Sequence, residues 1–245
     1  MQATVQSVVD ADRSRRHDHE NDGTDHHGDH GDHGDHGDGA TNECLRLLAD
    51  LRKRCPALFL PGQTLTPGQV GPEIPIDRAK GETLYRLLAR RIAGLPTEKP
   101  NDAGVVVWTQ GADELAVLVD KIVVTTADGA VAVDIPVECD DIGAAAVRVR
   151  FAVGSGKRPS GMVAATDERP FGPPAIVDVW GEALVAFAWH LVLEAGAAVA
   201  DATARDADGA GLIPVGLTAS ADGVAVLTMA RHSFDRRIEP NANRR

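Results

Sequence analysis

Between residues 130 and 153 the chain twice alternates larger apolar side chains with small, charged or proline residues. Val131, Val133, Ile135, Val137 and Cys139 interleave with Ala132, Asp134, Pro136 and Glu138; Val147, Val149, Phe151 and Val153 interleave with Arg148, Arg150 and Ala152. A period of two places every second side chain on one face of a pleated strand, so both segments read as strands with one face in a core and one toward water. Strands of that kind belong to antiparallel sheets, since a parallel sheet is covered on both faces and reads as unbroken apolar runs. Asp128-Gly129, just upstream, is a two-residue hairpin signal, and Asp222-Gly223 is a second one, between strands at 212–218 and 224–231. Pro136 has no N–H for a ladder, which predicts a sheet edge or a bulge at that point. Residues 105–109 predict a short strand, and the nearly continuous apolar run at 115–126 a long one.

Three helices stand outside this meander. Asn42 is placed to cap a short one, with Cys44, Leu45, Leu48 and Leu51 on its apolar side and Pro56 at its end. Residues 56–77, rich in Pro and Gly, read as a connection over the surface. The second helix covers 82–93, with Leu84, Leu87, Leu88 and Ile92 inward, Arg86, Arg90 and Arg91 outward, and Gly94 and Pro96 stopping it. The third, near 176–200, carries Val179, Leu184, Val185, Phe187, Leu191 and Val192 and leaves no wide polar side, as a buried helix does. Its longest stretch without an acidic side chain is residues 183–193, too short to cross about 30 Å of hydrocarbon at about 1.5 Å per residue, so no membrane span is expected. The pattern predicts an α+β fold: a mainly antiparallel sheet packed by about three helices, one of them long and buried.

Residues 17–38 are of a different kind. They hold seven of the nine histidines, His17, His19, His26, His27, His30, His33 and His36, together with seven Asp, one Glu and no Lys or Arg. The chain's net charge is −11, of which this segment supplies −8. Residues 1–40 have too few apolar groups to offset the entropy of ordering and predict a disordered tail. The domain boundaries follow: tail 1–40, one α+β domain 41–235, frayed terminus 236–245. Neutral imidazole ligates nickel, zinc, copper and cobalt, carboxylates complete the shell, and glycine at every third position lets distant ligands converge. Nickel or zinc is the expected cofactor, held by the seven histidines. In composition the tail resembles the His-rich extensions of bacterial nickel and zinc accessory proteins, such as hydrogenase and urease maturation factors and CobW-like GTPases. The resemblance ends with the tail, because the rest of the chain lacks their P-loop, and no residue of those families carries over.

Weaker constellations lie in the folded part. Gly154-Ser155-Gly156-Lys157-Arg158 follows a strand, but a phosphate loop requires Gly where Phe151 stands and Ser or Thr where Arg158 stands. Asp178, Glu182, His190 and Glu194 fall at multiples of four on the long helix and form a slanting stripe, with His190 and Glu194 one turn apart. A core histidine bonded to Glu194 is the reading preferred there. Cys139 precedes Asp140 and Asp141, whose charges disfavour a thiolate. No Ser, His and acid set of the hydrolase kind is present. Trp180 and Trp189 are expected in the core, and His232 is assigned no role.

These observations point away from an enzyme. With no basic stripe interleaved with aromatics, nucleic acid is not an expected partner. Three cysteines, Cys44, Cys55 and Cys139, with no CxxC and no apolar leader, fit reduced thiols in the cytoplasm. The functional expectation is a cytoplasmic metal-handling accessory protein, buffering or delivering nickel or zinc through the tail while the domain docks a protein client. The alternative is a structural or assembly protein whose sheet makes an interface and whose tail is a soluble spacer.

Overall fold

The computed structural model describes residues 39–55, 58, 71, 73–97, 104–155, 164–165, 169–206 and 211–233. The elements in chain order are α1 (Gly39–Arg54), β1 (Glu73–Asp77), α2 (Arg78–Ile92), β2 (Val105–Gln110), β3 (Asp113–Leu118), a 3-10 turn (Val119–Lys121), β4 (Val123–Ala127), β5 (Ala130–Cys139), β6 (Gly143–Ala152), β7 (Ala164–Ala165), α3 (Pro174–Asp206), β8 (Leu212–Ser220) and β9 (Gly223–Ala230). Every strand pairing between these elements is antiparallel, in a three-stranded sheet ordered β1-β9-β8 and a six-stranded sheet ordered β2-β3-β5-β6-β7, with β4 also on β5. The fold is α+β, as the alternation predicts.

β5 and β6 pair in register from Ala130↔Ala152 to Cys139↔Gly143. On β5 the side chains of Val131, Val133, Ile135 and Val137 are buried, and those between them are half-buried. Ala127 pairs with Ala130, so Asp128 and Gly129 form the two-residue turn, with Gly129 at φ +71. In the second hairpin Ser220 pairs with Gly223, so the turn residues are Ala221 and Asp222, one position earlier than the Asp222-Gly223 dipeptide predicts. Gly223 becomes the first residue of β9 instead.

The apolar run 115–126 is not one strand. β3 and β4 lie end to end along the same side of β5: Val117 stands opposite Val137 and Val123 opposite Asp134, so six residues of chain advance only three positions along β5. The surplus forms the 3-10 turn. The Val119 N–H donates to the Gly104 carbonyl at 2.8 Å, and Asp120 reaches Arg90 Nη1 at 2.6 Å. Arg90 is 5% exposed, the reverse of the outward position its helical phase suggests, and burying its charge requires a carboxylate beside it. Gly104, at φ +58, lets the turn close: a Cβ there would sit 2.2 Å from the Asp120 carboxyl. The detour also explains Pro136. β5 is a central strand rather than an edge, but Ile135 and Pro136 face the gap between β3 and β4, where no neighbour calls for a ladder N–H.

Three helical and strand boundaries differ from the sequence pattern. α1 starts at Gly39, so Asn42 lies inside the helix rather than at its cap. α2 starts at Arg78, and its inward side carries Tyr85, Leu88 and Ala89, while Leu87 is 40% exposed. Residues 73–77, inside the expected Pro/Gly connection, form β1; Pro75 is accommodated because β1 is an edge strand that, among the described residues, pairs only with β9.

α3 is the centre of the core. From Ala183 to Ala197 every side chain except the half-buried Val185 is inside. Its stretch Pro174–Thr203 is long and apolar enough to cross a membrane, yet 83% of its most apolar window is buried against the rest of the protein. A helix apolar on all sides must be covered on all sides, and here α1, α2 and the two sheets cover it. Trp180 and Phe187 on α3 meet Trp108 of β2, with ring centroids 6.4 Å and 5.8 Å apart. The two sheets are joined through Gly154, whose N–H donates to Leu217 and whose carbonyl accepts from Ala219, each at 2.9 Å.

Candidate functional site

The polar stripe expected on α3 divides in two. Asp178 and Glu182 are exposed, and Asp178 pairs with Arg169. His190 and Glu194 are buried, with side chains 6% and 3% exposed. Glu194 is the junction of three helices. Arg54, in the last turn of α1, donates to Oε2 at 2.5 Å, and Arg91, in the last turn of α2, donates to Oε1. His190 Nε2 lies 3.5 Å from Oε2, long for a hydrogen bond. Both arginines also sit where a helix dipole favours positive charge. Burial pushes the Glu194 pKa up. The polar contact from His190, the hydrogen bond from Arg54 and the charges of Arg54 and Arg91 outweigh it, and the carboxyl ends at about 2 against an ordinary 4.5. The arrangement ties helices together. The histidine is only partly satisfied, since Nδ1 is buried without a hydrogen-bond partner.

The other candidates separate similarly. His17, His19, His26, His27, His30, His33 and His36 all lie outside the described residues, as do Lys157 and Arg158 and the terminus at 236–245. Gly154 cannot offer its N–H to a phosphate, because Leu217 already takes it. Cys139 is half-buried at the end of β5, Cys55 is buried, and burial pushes the Cys55 thiol up; both are free thiols. Cys139 borders a depression of about 400 Å3 with Asp113, Glu114, Asp140 and Asp141. Among the described residues no three His, Cys, Asp or Glu side chains are arranged to hold a metal ion. Trp180 and Trp189 are in the core, as expected, and His232 is exposed.

A feature that no motif announces is a cleft of about 460 Å3 between α2, β4 and the β8–β9 turn, within the range of about 300–1,000 Å3 usual for ligand sites. One wall is α2, through Glu82, Tyr85 and Arg86. The other is the continuous stretch from Asp120 through Thr126. Tyr85 is 7% exposed, its hydroxyl has no hydrogen-bond partner, and burial pushes its pKa up. Asp120 gives one oxygen to Arg90, while its Oδ1 is buried without a partner. Two signals were present in the sequence: the only tyrosine of the chain, on an arginine-rich helix, and the Asp120-Lys121 pair interrupting an apolar run. No family model matches the chain, and comparison with curated proteins and with solved structures finds no match.

Proposed function

We propose that this chain is a cytoplasmic metal-handling protein that buffers or delivers nickel or zinc through its histidine tail, residues 1–40, while a domain spanning 41–235 docks a protein client. The observation that carries the reading is the density of ligands: seven histidines between positions 17 and 36, interleaved with Asp and Gly. Such a segment, low in apolar groups, is expected to bind with moderate affinity at interchangeable sites, because ordering it around each ion costs entropy. That suits transfer of an ion better than catalysis, which requires fixed geometry. The unpaired thiols Cys55 and Cys139 fit a reducing compartment.

Calorimetric titration with nickel and with zinc tests it. The intact chain should bind more than one ion, and binding should weaken sharply from pH 7 to pH 5, because imidazole must be neutral to ligate and protonates near about pH 6.5. Replacing all seven tail histidines should abolish binding above one equivalent, whereas a single replacement at His30, His33 or His36 should change little. The chain without residues 1–38 should unfold cooperatively and bind no more than one ion. Full stoichiometry in the seven-fold variant would refute the reading.

A second reading, a structural or assembly protein with the tail as a spacer, draws support from the outward side of the six-stranded sheet. Val107 and Val123 lie on that side, 54% and 50% exposed. Analytical ultracentrifugation of the metal-free protein distinguishes it: a stable oligomer unaffected by loss of the tail histidines favours assembly.

A further inference from the structure

Among the described residues β4 has a strand on one side only. β2 covers β3 along its length, from Val105↔Leu118 to Gln110↔Asp113, but β4, in line with β3 after the detour, pairs with β5 alone. Among the described residues the six-stranded sheet therefore has a notch one strand wide. In an antiparallel ladder alternate residues direct N–H and C=O to opposite sides. With Ala127↔Ala130 closing the hairpin, the groups directed away from β5 belong to Val124 and Thr126. Among the described residues neither backbone group has a partner on that side.

The notch is the cleft described above. Its wall is formed by seven consecutive residues, 120–126: the end of the 3-10 turn at Asp120 and Lys121, then the extended residues 122–126, so it runs lengthwise along β4 instead of enclosing a compact volume. At about 3.3 Å per residue the extended part is a groove of roughly 16 Å. At its rim Arg86 and Lys121 are exposed and without an ion pair among the described residues, with Glu82 the opposing charge, and Asp120 is held by Arg90. Tyr85 and Asp120 add unused hydrogen-bonding capacity in the wall.

We infer that the unpaired edge of β4 is a docking groove for an extended acidic peptide of a partner protein, which joins the six-stranded sheet as a further strand. Main-chain hydrogen bonds to Val124 and Thr126 supply the affinity, as in other cases of strand addition. Carboxylates on the peptide meet Arg86 and Lys121. The inference rests on the client-docking part of the proposed function and is independent of its metal-binding part.

The test uses the full chain with a chelator present. The probes are two fluorescein-labelled heptapeptides, one alternating valine with glutamate, the other valine with lysine. Fluorescence anisotropy should show saturable binding of the glutamate peptide and at least about tenfold weaker binding of the lysine peptide. Amide hydrogen exchange at Val124 and Thr126 should slow when the glutamate peptide binds. Val124→Pro should abolish binding, since it removes an N–H that β5 does not use. The exposed pair Arg86→Glu and Lys121→Glu, which leaves the core untouched, should invert the preference between the peptides. Equal binding of both peptides, or a charge-reversed variant with unaltered preference, overturns the proposal. So does slow exchange of the two amides before peptide is added: concentration-dependent protection assigns the edge to a second copy, and concentration-independent protection to this chain itself. Because no metal is involved, failure here leaves the tail's metal binding standing, and failure of the titration leaves the groove standing.

Discussion

Replacing Glu194 with Gln is the most informative single change in the core. Glutamine keeps the volume and one carbonyl oxygen but removes the charge that holds Arg54, Arg91 and His190. The folded pKa of about 2 lies below the ordinary 4.5, so the ionised carboxylate stabilises the folded state, fully above pH 4.5 and progressively less as pH falls toward 2. The separation of 4.5 from about 2, at about 1.36 kcal/mol per pH unit, makes the contribution about 3 kcal/mol at pH 7. The same linkage leaves only about 1.4 kcal/mol at pH 3. Urea denaturation of wild type and Glu194→Gln across pH 2.5–7 measures it, and other carboxylates cancel in the difference. The gap between the two proteins should close as pH falls. A gap that stays constant with pH would mean that packing around residue 194, not its charge, sets the cost, and the account of the helix junction would be wrong.

Two further changes probe the surroundings. Leu191 is fully buried on α3, so Leu191→Ala should cost about 2–5 kcal/mol by urea midpoint, and a loss under about half a kcal/mol would place that side chain outside the core. Gly104→Ala should cost about 2 kcal/mol or more, because a Cβ at φ +58 meets the Asp120 carboxyl and displaces it from Arg90; an unchanged melting temperature would refute the role given to the detour.

What the residues disclose in advance depends on how local its cause is. The alternation along β5 and β6 and the Asp128-Gly129 turn report on neighbours two positions apart, and the structure places them as expected. The break between β3 and β4 does not follow from the run 115–126, where Asp120 and Lys121 look like ordinary solvent-side positions. Its cause is Arg90, thirty residues upstream. The His190–Glu194 pair was legible from its spacing on one helix. Arg54 and Arg91, which determine the state of that carboxylate, come from two other helices at separations of 140 and 103 residues. The lone tyrosine and the Asp120-Lys121 pair stood out singly, but their convergence on one cleft was illegible for the same reason: it is assembled from α2, β4 and the β8–β9 turn. Helix starts were early by about one turn at both α1 and α2, since a good capping residue can sit inside a helix that begins upstream of it.

The position of α3 after strands β2 to β6 has a consequence for how the protein is made. Strands β2 to β6 leave the ribosome with the buried side of their sheet uncovered, and α1 and α2 leave with nothing to hold Arg54 and Arg91. β1 waits longer still, because its partner β9 lies 154 positions downstream at Glu73↔Leu227. Contacts at such separations close slowly, since loop entropy must be overcome before they contribute. Until residues 174–206 emerge, the nascent chain presents a broad apolar sheet; once they emerge, it presents a helix with the length and character of a membrane segment. The interval between synthesis of β6 and docking of α3 is therefore the one in which the most apolar sheet surface stands uncovered, the condition under which folding intermediates aggregate.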